Sequence, residues 1–365
     1  MRLIHCADIH LDSSLLTHLS VQKARERNIE LFQTFQRMVE YAEENQVNGI
    51  IIAGDLFDGE QVSFFTGNAW LDLIEQYSKI DFFYLRGNHD ETSTIPKRRN
   101  YPQNLKLFEQ KWKNYEYGNI VISGAQLSGE NGGMLGETME LQEEKTNIVV
   151  LHGTVAGYQH GVGGECLLPL TSFCRKGIDY LALGHIHKYS MERLDSRGVY
   201  CYSGCLEGRG FDECGEKGFV LLDIDEETGE IESQFIPFAK RLLYSTNVDI
   251  TGCISTMEIG RIVDKHIREL DANEKDCVQI RLQGKLDVIC EKNLLYLQKQ
   301  LQEQFYLAEI KDDTTFKVDY TEFLGEESLR GEFVRLVQSE ELSEDEKAMI
   351  IRCGIKALSG EELVE

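Results

Sequence analysis

Apolar residues in the first 90 positions form short continuous runs, separated by longer stretches in which they recur at helical spacing. Strands are predicted within residues 1–10, 47–53 and 81–86, where branched and aromatic apolar residues dominate. A helix is predicted over 21–44, and a second one follows the second strand. The apolar stripe of that second helix is expected to comprise Phe65, Ala69, Leu73 and Tyr77. Alternation of strand and helix is typical of a doubly wound α/β domain.

After residue 90 the pattern changes to shorter strands with little helix between them. These strands are predicted at 120–127, 147–151, 180–183, 198–202, 218–223 and 231–238. Glu227-Thr228-Gly229 marks a hairpin turn between the last two of them. Together with the earlier strands, they predict two packed sheets that share one edge of loops.

The pattern starts again near Arg241 and predicts a separate small domain. Strand, helix, strand, helix and strand follow one another from there to residue 320, as in a small α+β domain. The tail beyond it is acidic and helical, with an apolar cluster formed by Phe333, Val334, Leu336 and Val337. Two interpretations of the tail stay open: helices packed on their own domain, or an arm that docks onto a partner. The predicted domains are therefore 1–240, 241–320 and 321–365.

Composition narrows the class of protein. A hydrophobic fraction of 42% and a charged fraction of 27% are ordinary for a globular protein. No apolar run reaches the roughly 20 residues that cross a bilayer, and the N-terminus enters a strand without the apolar segment of a signal peptide. We therefore expect a cytoplasmic protein without membrane contact.

The net charge of −24 argues against a broad basic face for nucleic acid. The ten cysteines include no C-x-x-C pair, so neither a zinc ribbon nor a disulfide framework is predicted.

Polar side chains of the metal-binding type follow five of the predicted strands. These strand ends read Asp8-x-His10, Gly54-Asp55, Gly87-Asn88-His89-Asp90, His152-Gly153 and His185-x-His187. Because open α/β sheets bind ligands at the carboxyl ends of their strands, we expect all five to converge on one edge. Imidazole, carboxylate and amide oxygen suit Mn²⁺, Fe²⁺ or Zn²⁺, and the lack of cysteine argues against a structural zinc site.

The number of these side chains indicates a pair of metal ions. Seven ligands are too many for one ion, but they suit two ions about 3.5–4 Å apart with a bridging carboxylate. Such a pair clamps a phosphate and stabilises both its attacking and its leaving oxygen. The chemistry predicted is hydrolysis of a phosphoester by a metal-activated hydroxide.

The motifs D-x-H, G-D-x-x-D, G-N-H-D, H-G and G-H-x-H resemble, in this order, those of the calcineurin-like metallophosphoesterases. The resemblance covers roughly residues 1–220 and implies an α/β fold, a two-sheet sandwich flanked by helices. It implies two divalent ions, with Mn²⁺ expected and Mg²⁺, Fe²⁺ or Zn²⁺ as alternatives. The ligands that it implies for one ion are Asp8, His10, Asp55 and His187. Those for the other are Asp55 as the bridge, Asn88, His152 and His185.

The same resemblance implies roles for the two residues that follow Asn88. His89 would donate a proton to the leaving oxygen or stabilise the transition state, without binding metal. Asp90 would orient the His89 ring, as carboxylates do in other carboxylate–histidine pairs.

Further stretches resemble the SbcD-type DNA-repair exonucleases, especially their YhaO-like branch. They are His5–Ser13, Tyr202-Ser203-Gly204, Gly208–Glu213 and Gly215–Gly218. The resemblance implies DNA as the substrate, a capping domain at 241–320, and a tail that grips an SbcC-like coiled-coil ATPase. It also implies a homodimer formed through helices of the first domain. The chain has no phosphate-binding G-x-x-x-x-G-K-[ST] loop, so ATP would be handled by the partner.

For several residues, the sequence leaves two interpretations open. Asp58, Arg86 and Arg209 are the candidate substrate-binding residues. Asp58 stands where eukaryotic and archaeal relatives place a histidine that contacts the scissile phosphate, so its role is open. Arg86 and Arg209 could contact phosphate or form ion pairs.

A second group of residues has a structural interpretation beside a functional one. The loop Lys97-Arg98-Arg99 could contact DNA backbone, although a solvated loop is the simpler interpretation. Asp12 could support a metal ligand or cap a turn. The histidines outside the motifs are expected to be surface or hydrogen-bonded residues: His5, His18, His160 and His266.

Three functions are compatible with these observations. The leading hypothesis is a Mn²⁺-dependent DNA exonuclease or endonuclease of double-strand-break repair. The alternative keeps the metal site and changes the substrate, giving a phosphodiesterase or phosphatase that acts on nucleotides or another small phosphoester. A non-catalytic scaffold is the third, and it would be marked by a lost ligand.

Overall fold

The computed structural model describes residues 1–358 except 16–18, 60–61, 91–94, 97, 99, 128–133, 156–165, 288–289, 318–322 and 324. Two compact units make up the chain, Met1–Lys240 and Arg241–Glu365. No helix within the described ranges is long and apolar enough to span a membrane.

The first unit contains fourteen strands, three α-helices and a short 3₁₀ helix, Leu170–Ser172, among its described residues. The first seven strands are β1 Arg2–Cys6, β2 Gly49–Ala53, β3 Asp81–Leu85, β4 Leu105–Leu107, β5 Lys113–Tyr117, β6 Ile120–Gly124 and β7 Thr146–His152. They are followed by β8 Thr154–Val155, β9 Leu167–Leu168, β10 Tyr180–Gly184, β11 Ser190–Arg193, β12 Val199–Tyr202, β13 Gly218–Ile224 and β14 Ile231–Pro237. The helices are α1 Val21–Glu44, α2 Phe64–Gln76 and α3 Leu135–Thr138.

Two six-stranded mixed sheets form the framework of this unit. One has the order β14-β13-β1-β2-β3-β4 and the other β11-β12-β10-β7-β6-β5. Strands β1 to β4 are parallel in the first sheet, and β6, β7, β10 and β12 are parallel in the second. The predicted hairpin is present, since β13 and β14 pair antiparallel. The α/β class and the two sheets are as predicted.

The central strand β2 explains how the layers hold together. Its residues Ile50, Ile51 and Ile52 are fully buried because the strand is covered on both faces. Ile51 packs in a core that includes Ile148 of the other sheet. Ile50 and Ile52 belong to the core that contains the buried faces of α1 and α2. The uninterrupted apolar run that predicted this strand follows from burial on both faces.

The apolar stripe predicted for α2 is wrong at its first position. Phe65 is 82% exposed, whereas Trp70 is fully buried. The two residues are five positions apart, which places them about 140° apart around a helix. The buried face of α2 is formed by Gly67, Trp70, Leu71, Leu73 and Ile74.

The second unit begins with the predicted order of strands and helices. Its elements are β15 Leu243–Asp249, α4 Thr256–Glu269, β16 Cys277–Gln283, β17 Lys285–Asp287, α5 Leu294–Gln302, β18 Leu307–Asp312 and β19 Thr315–Lys317. Strands β15, β16 and β18 form a parallel sheet. Residues Ile259 and Val263 of α4 and Leu297 of α5 pack in one core with Ile280 of β16. Residues 318–320, where the predicted domain ends, lie outside the described residues.

The tail forms two helices, α6 Leu329–Gln338 and α7 Glu344–Leu358. They pack together through Val334, Val337, Ile351 and Ile355, and α7 also contacts β19. Val334 and Val337 were predicted in this cluster, but Leu336 is 63% exposed. Both helices therefore pack within their own unit, and some of their apolar residues, such as Leu336 and Met349, remain exposed.

Candidate metal centre

The loops after β1, β2 and β3 in one sheet, and after β7 and β10 in the other, meet at one edge of the first unit. Their backbones lie so close that side chains are excluded at two glycines. A Cβ atom on Gly87 would lie 2.0 Å from Oδ1 of Asp55, and one on Gly54 would lie 2.1 Å from Nδ1 of His152. Gly54 also adopts a φ of +94°. The predicted convergence of the strand ends is present.

Among the described residues, three groups of side chains have ligand atoms close enough to share an ion, and two of them consist of predicted ligands. The third is His10, Asp58 and His89, which shares His10 with one of the other two. Asp8, His10 and His187 form the first group, with one ligand atom of each within 4.8 Å of the others. Asp55, His152 and His185 form the second group by the same measure. Asn88 joins the second group, because its Oδ1 lies 2.9 Å from His152 Nε2 and 2.9 Å from His185 Nδ1.

Asp55 lies between the two groups. Its Oδ2 is 3.4 Å from Nε2 of His152 in the second group and 3.9 Å from Nε2 of His10 in the first. Its Oδ1 accepts a hydrogen bond of 2.9 Å from the backbone N–H of His89. Asp55 is 1% exposed. Burial would raise the pKa of Asp55, but the neighbouring histidines, His152 foremost, hold it well below its usual range.

The backbone is strained at these residues. Asp8, His10 and Asp55 have φ values of 51°, 50° and 50°, and His185 has a φ of 92°. This left-handed region costs about 1–3 kcal/mol for a residue with a Cβ atom, and such conformations cluster at functional sites. The backbone N–H of His185 donates to the carboxylate of Asp8, at 3.0 Å to Oδ1, which helps to hold both residues.

The hydrogen bonds of the imidazoles show that the residues fit metal ions. Nδ1 of His152 donates to the carbonyl oxygen of Ala53 (2.9 Å), so in the neutral ring Nε2 directs a lone pair at the oxygen of Asn88. Nδ1 of His187 donates to Oε1 of Glu213 (2.7 Å), which leaves Nε2 facing Nε2 of His10 at 3.2 Å. Either a proton or a metal ion can lie between such facing atoms, and the hydrogen bonds at Nδ1 leave Nε2 of both rings able to bind a metal ion. The donor set of imidazole, carboxylate and amide oxygen suits Mn²⁺, Fe²⁺ or Zn²⁺.

The structure corrects the partner of His89. Asp90 was predicted to orient this ring, but its carboxylate accepts from the backbone N–H groups of Leu56 (3.1 Å), Phe57 (2.7 Å) and Gly87 (3.0 Å). The side chain therefore joins its own loop to the loop after β2, and burial and the charge of Asp55 raise the pKa of Asp90 to about 6. Oδ1 of Asp58 lies 2.9 Å from Nδ1 of His89 instead.

The sequence analysis left the role of Asp58 open. In the structure, both oxygens of its carboxylate contact protein groups. Its Oδ2 accepts from Oγ of Ser13 (2.5 Å) and from Nη1 of Arg209 (3.2 Å). Burial would raise its pKa, but contacts with His10, His89 and Ser13 hold the pKa well below the usual range. The hydrogen bond from Asp58 raises the pKa of His89. This geometry favours an orienting role for Asp58 over contact with a phosphate.

The other candidates for substrate contact differ in their surroundings. Arg209 forms ion pairs with Asp58 (3.2 Å) and Glu213 (3.1 Å), which is the structural interpretation of this residue. Arg86 is partly exposed, directly after β3. Arg98 pairs with Asp72 of α2 at 2.7 Å, while Lys97 and Arg99 lie outside the described residues.

The structure also shows the contacts of the residues for which a structural interpretation stood beside a functional one. Asp12 accepts from the backbone N–H of Ser63 (2.8 Å) and from Thr66 (2.9 Å), so it holds the start of α2. His5 is buried and lies 3.0 Å from the hydroxyl of Tyr180, so the surface alternative is wrong for it. Nδ1 of His266 lies 2.9 Å from the carbonyl oxygen of Ile262 in its own helix. His18 and His160 lie outside the described residues.

Three residues around the centre had no role in the sequence analysis. Ser13 contacts Asp58, Glu213 contacts His187, and the ammonium of Lys217 donates to the carbonyl oxygen of His187 at 2.8 Å. All three lie in stretches that carried the resemblance, which was the available signal. Their contacts join positions 26 to 45 residues apart and therefore required the fold.

Residues 1–189 match the family model for calcineurin-like phosphoesterases. The chain belongs to this family, and it is a metallophosphoesterase. It is similar to the uncharacterized metallophosphoesterase YhaO of Bacillus subtilis, with 27% identity over 77% of this chain and 71% of YhaO. It is also 27% identical to the DNA double-strand break repair protein Mre11 of Saccharolobus solfataricus, over 100% of this chain and 97% of that protein.

Among solved structures, one match is the crystal structure of a dimetal phosphatase from Danio rerio. The match has a TM-score of 0.39 and 12% sequence identity, and it covers 61% of this chain and 92% of the phosphatase.

Proposed function

We propose that this metallophosphoesterase is a metal-dependent phosphodiesterase that cleaves DNA, as an exonuclease or endonuclease of double-strand-break repair. The observation that carries the phosphoesterase chemistry is the pair of ligand groups joined by Asp55. Two divalent ions, with Mn²⁺ proposed, would be held there by Asp8, His10 and His187 on one side. Asn88, His152 and His185 would hold the other ion, and Asp55 lies between the two groups.

The chemistry supplied by bound divalent ions is activation of water and stabilisation of the charge that develops on the phosphate. The protein's own contribution is a positioned proton. His89 is half exposed, so its ring can reach a bound phosphoester. Asp58 accepts a hydrogen bond from Nδ1 and thereby turns Nε2 outward. His89 then donates its Nε2 proton to the leaving oxygen.

Similarity to an archaeal Mre11 supports DNA as the substrate. The family model ends at residue 189, whereas the similarity to the Saccharolobus protein spans the whole chain. The second unit is thus included in the relationship. The net charge of −24 does not favour DNA, so we propose that a partner contributes most of the affinity for the phosphate backbone.

The proposed partner is an SbcC-like coiled-coil ATPase, bound by the tail helices as in the SbcD-type nucleases that the motifs resemble. Exposed apolar residues of the tail, Leu329, Leu336 and Met349, are 71%, 63% and 64% exposed and support this role. Phe64 and Phe65, 79% and 82% exposed at the start of α2, support the homodimer expected through helices of the first unit.

A comparison of four substrates tests the proposed function. Linear duplex DNA, single-stranded DNA, bis(p-nitrophenyl) phosphate and p-nitrophenyl phosphate are each incubated with the protein and Mn²⁺ or Mg²⁺. We expect cleavage of the diesters, including DNA, and little hydrolysis of the monoester. Preferential hydrolysis of the monoester would replace the nuclease with a phosphatase. Hydrolysis of the small diester without cleavage of either DNA would point to a phosphodiesterase for nucleotides.

A further inference from the structure

We propose that Arg209 and Glu213 are positioning residues that lock His187 and His89 in a single arrangement. They belong to the segment Gly208–Glu213, which lies beside the metal centre and supplies none of its ligands. The inference rests on the proposed metal centre, because it explains how two imidazoles of that centre are held.

Glu213 fixes the ring of His187 through a hydrogen bond to Nδ1. Its Oε1 accepts from Nδ1 of His187 at 2.7 Å and from Nη2 of Arg209 at 3.1 Å. Its Oε2 accepts from the backbone N–H of Arg209 at 2.7 Å. A carboxylate can only accept hydrogen bonds, so the neutral ring must carry its proton on Nδ1 and present Nε2 to a metal ion.

Arg209 connects this carboxylate to a second carboxylate–histidine pair. Nη1 lies 3.2 Å from Oδ2 of Asp58, whose Oδ1 is 2.9 Å from Nδ1 of His89. One planar guanidinium therefore contacts both carboxylates, Asp58 beside His89 and Glu213 beside His187. Its fork holds them at a fixed separation, which a lysine ammonium could not do.

The surroundings argue against a phosphate ligand role for Arg209. Its side chain is only 18% exposed, and its charge is shared by two carboxylates that are 19% and 7% exposed. The segment is anchored from the other side by Glu207, which is 2% exposed and accepts from Thr34 of α1 at 2.7 Å. The guanidine of Arg27 donates to the carbonyl oxygen of Gly208 at 2.8 Å.

The first test measures the His187 tautomer in metal-free protein by long-range ¹H–¹⁵N NMR of ¹⁵N-histidine-labelled samples at mildly alkaline pH. The His187 signals are assigned by their loss in His187→Asn. We expect the Nδ1–H tautomer alone in the wild type and a mixture of tautomers in Glu213→Ala. Glu216→Ala, an exposed charge of the neighbouring loop, is the matched control and should keep the wild-type signals. A single unchanged tautomer in folded Glu213→Ala overturns the proposal.

The second test measures Mn²⁺ affinity by isothermal titration calorimetry of the same variants, with circular dichroism to confirm that they are folded. Loss of such a supporting carboxylate weakens metal binding about 10–100-fold. We expect this loss in Glu213→Ala, a smaller loss in Glu213→Gln, and no change in Glu216→Ala. Equal affinities in Glu213→Ala and the wild type overturn the proposal.

A double-mutant cycle tests the link through Arg209. We expect Arg209→Gln to weaken Mn²⁺ binding in the wild type and to have a smaller effect in Glu213→Ala, because it acts through Glu213. Additive effects overturn the link. A wild type that binds no Mn²⁺ would reject the proposed metal centre, whereas the NMR experiment would still decide the role of Glu213.

Discussion

At the scale of single residues, Asp55 has a position that no other carboxylate of the centre shares. It is buried, its backbone has a φ of 50°, and its Oδ2 lies within 4 Å of one histidine from each ligand group. Its backbone carbonyl accepts from the N–H groups of Ile9 (2.9 Å) and His10 (3.0 Å), so the loops after β1 and β2 are joined at Asp55. Removing its charge should therefore affect both ions.

Asp55→Asn keeps the shape of the side chain and removes one anionic ligand oxygen. We expect Mn²⁺ binding to both groups to weaken and turnover of bis(p-nitrophenyl) phosphate to fall more than about 100-fold, since loss of a supporting residue alone costs 10–100-fold. Calorimetry gives the number of bound ions and a colorimetric assay gives turnover. Asp264→Asn, an exposed change in the second unit, is the control. Normal turnover in Asp55→Asn would exclude a bridging role.

The residues of the centre also mark a limit of sequence reasoning. The ligand types at the strand ends predicted a centre for two metal ions, because these strand ends were expected to meet at one edge. The resemblance to the family implied how the ligands divide into two groups. Asp90 was predicted beside His89 because it follows it in the chain. The tight turn at Gly87 instead directs Asp90 towards backbone N–H groups, and Asp58 from another loop reaches the ring. Side-chain direction in a turn depends on φ and ψ, which residue spacing does not determine.

At the scale of elements, α1 is connected to the loop beside the metal centre by buried charges. Arg27 and Glu30 of α1 are 4% and 6% exposed and pair at 2.6 Å. Glu207 accepts from Thr34 (2.7 Å) and from the backbone N–H of Lys240 (2.6 Å). The helix therefore holds the loop that carries Arg209 and Glu213. We expect that a mutation in this network will first lower the free energy of unfolding.

Glu207→Ala tests that network. Removing one partner of a buried ionic network leaves the others without compensation and typically costs about 3–5 kcal/mol. We expect a decrease of this size in the free energy of unfolding, measured by urea denaturation of the metal-free protein. Glu216→Ala, on the exposed neighbouring loop, should change it by no more than about 0.5 kcal/mol. A cost below about 1 kcal/mol for Glu207→Ala would mean that the loop is held by other contacts.

The elements themselves were well predicted where periodicity was long. The 24-residue helix α1 has the predicted bounds, because several turns of apolar spacing define one buried face. In the 13-residue helix α2, the predicted stripe included Phe65, which is exposed. Aromatic residues at the first turn of a helix can extend past the surface that it covers, and a hydrophobic pattern cannot distinguish this position from a buried one.

At the scale of the whole molecule, the tail presents an apolar surface that its own packing does not use. Val334, Val337, Ile351 and Ile355 are buried between α6 and α7, whereas Leu336 and Met349 are 63% and 64% exposed. The sequence cluster at 333–337 predicted apolar contact but not its division between an internal face and a free one. That division depends on the orientation in which each helix packs against the other.

The double variant Leu336→Asp, Met349→Asp tests whether this surface binds the proposed coiled-coil ATPase. Because both side chains are exposed, we expect the melting temperature and the hydrolysis of bis(p-nitrophenyl) phosphate to remain at wild-type values. Loss of a hot-spot residue costs an interface at least about 2 kcal/mol, and each aspartate would also bury a charge in the interface, so co-purification with the co-expressed ATPase should fall at least tenfold. Glu341→Ala, an exposed change between the helices, is the control and should retain the ATPase. Retention by the double variant as well would show that the ATPase binds elsewhere, and the exposed face of the tail would then need another partner.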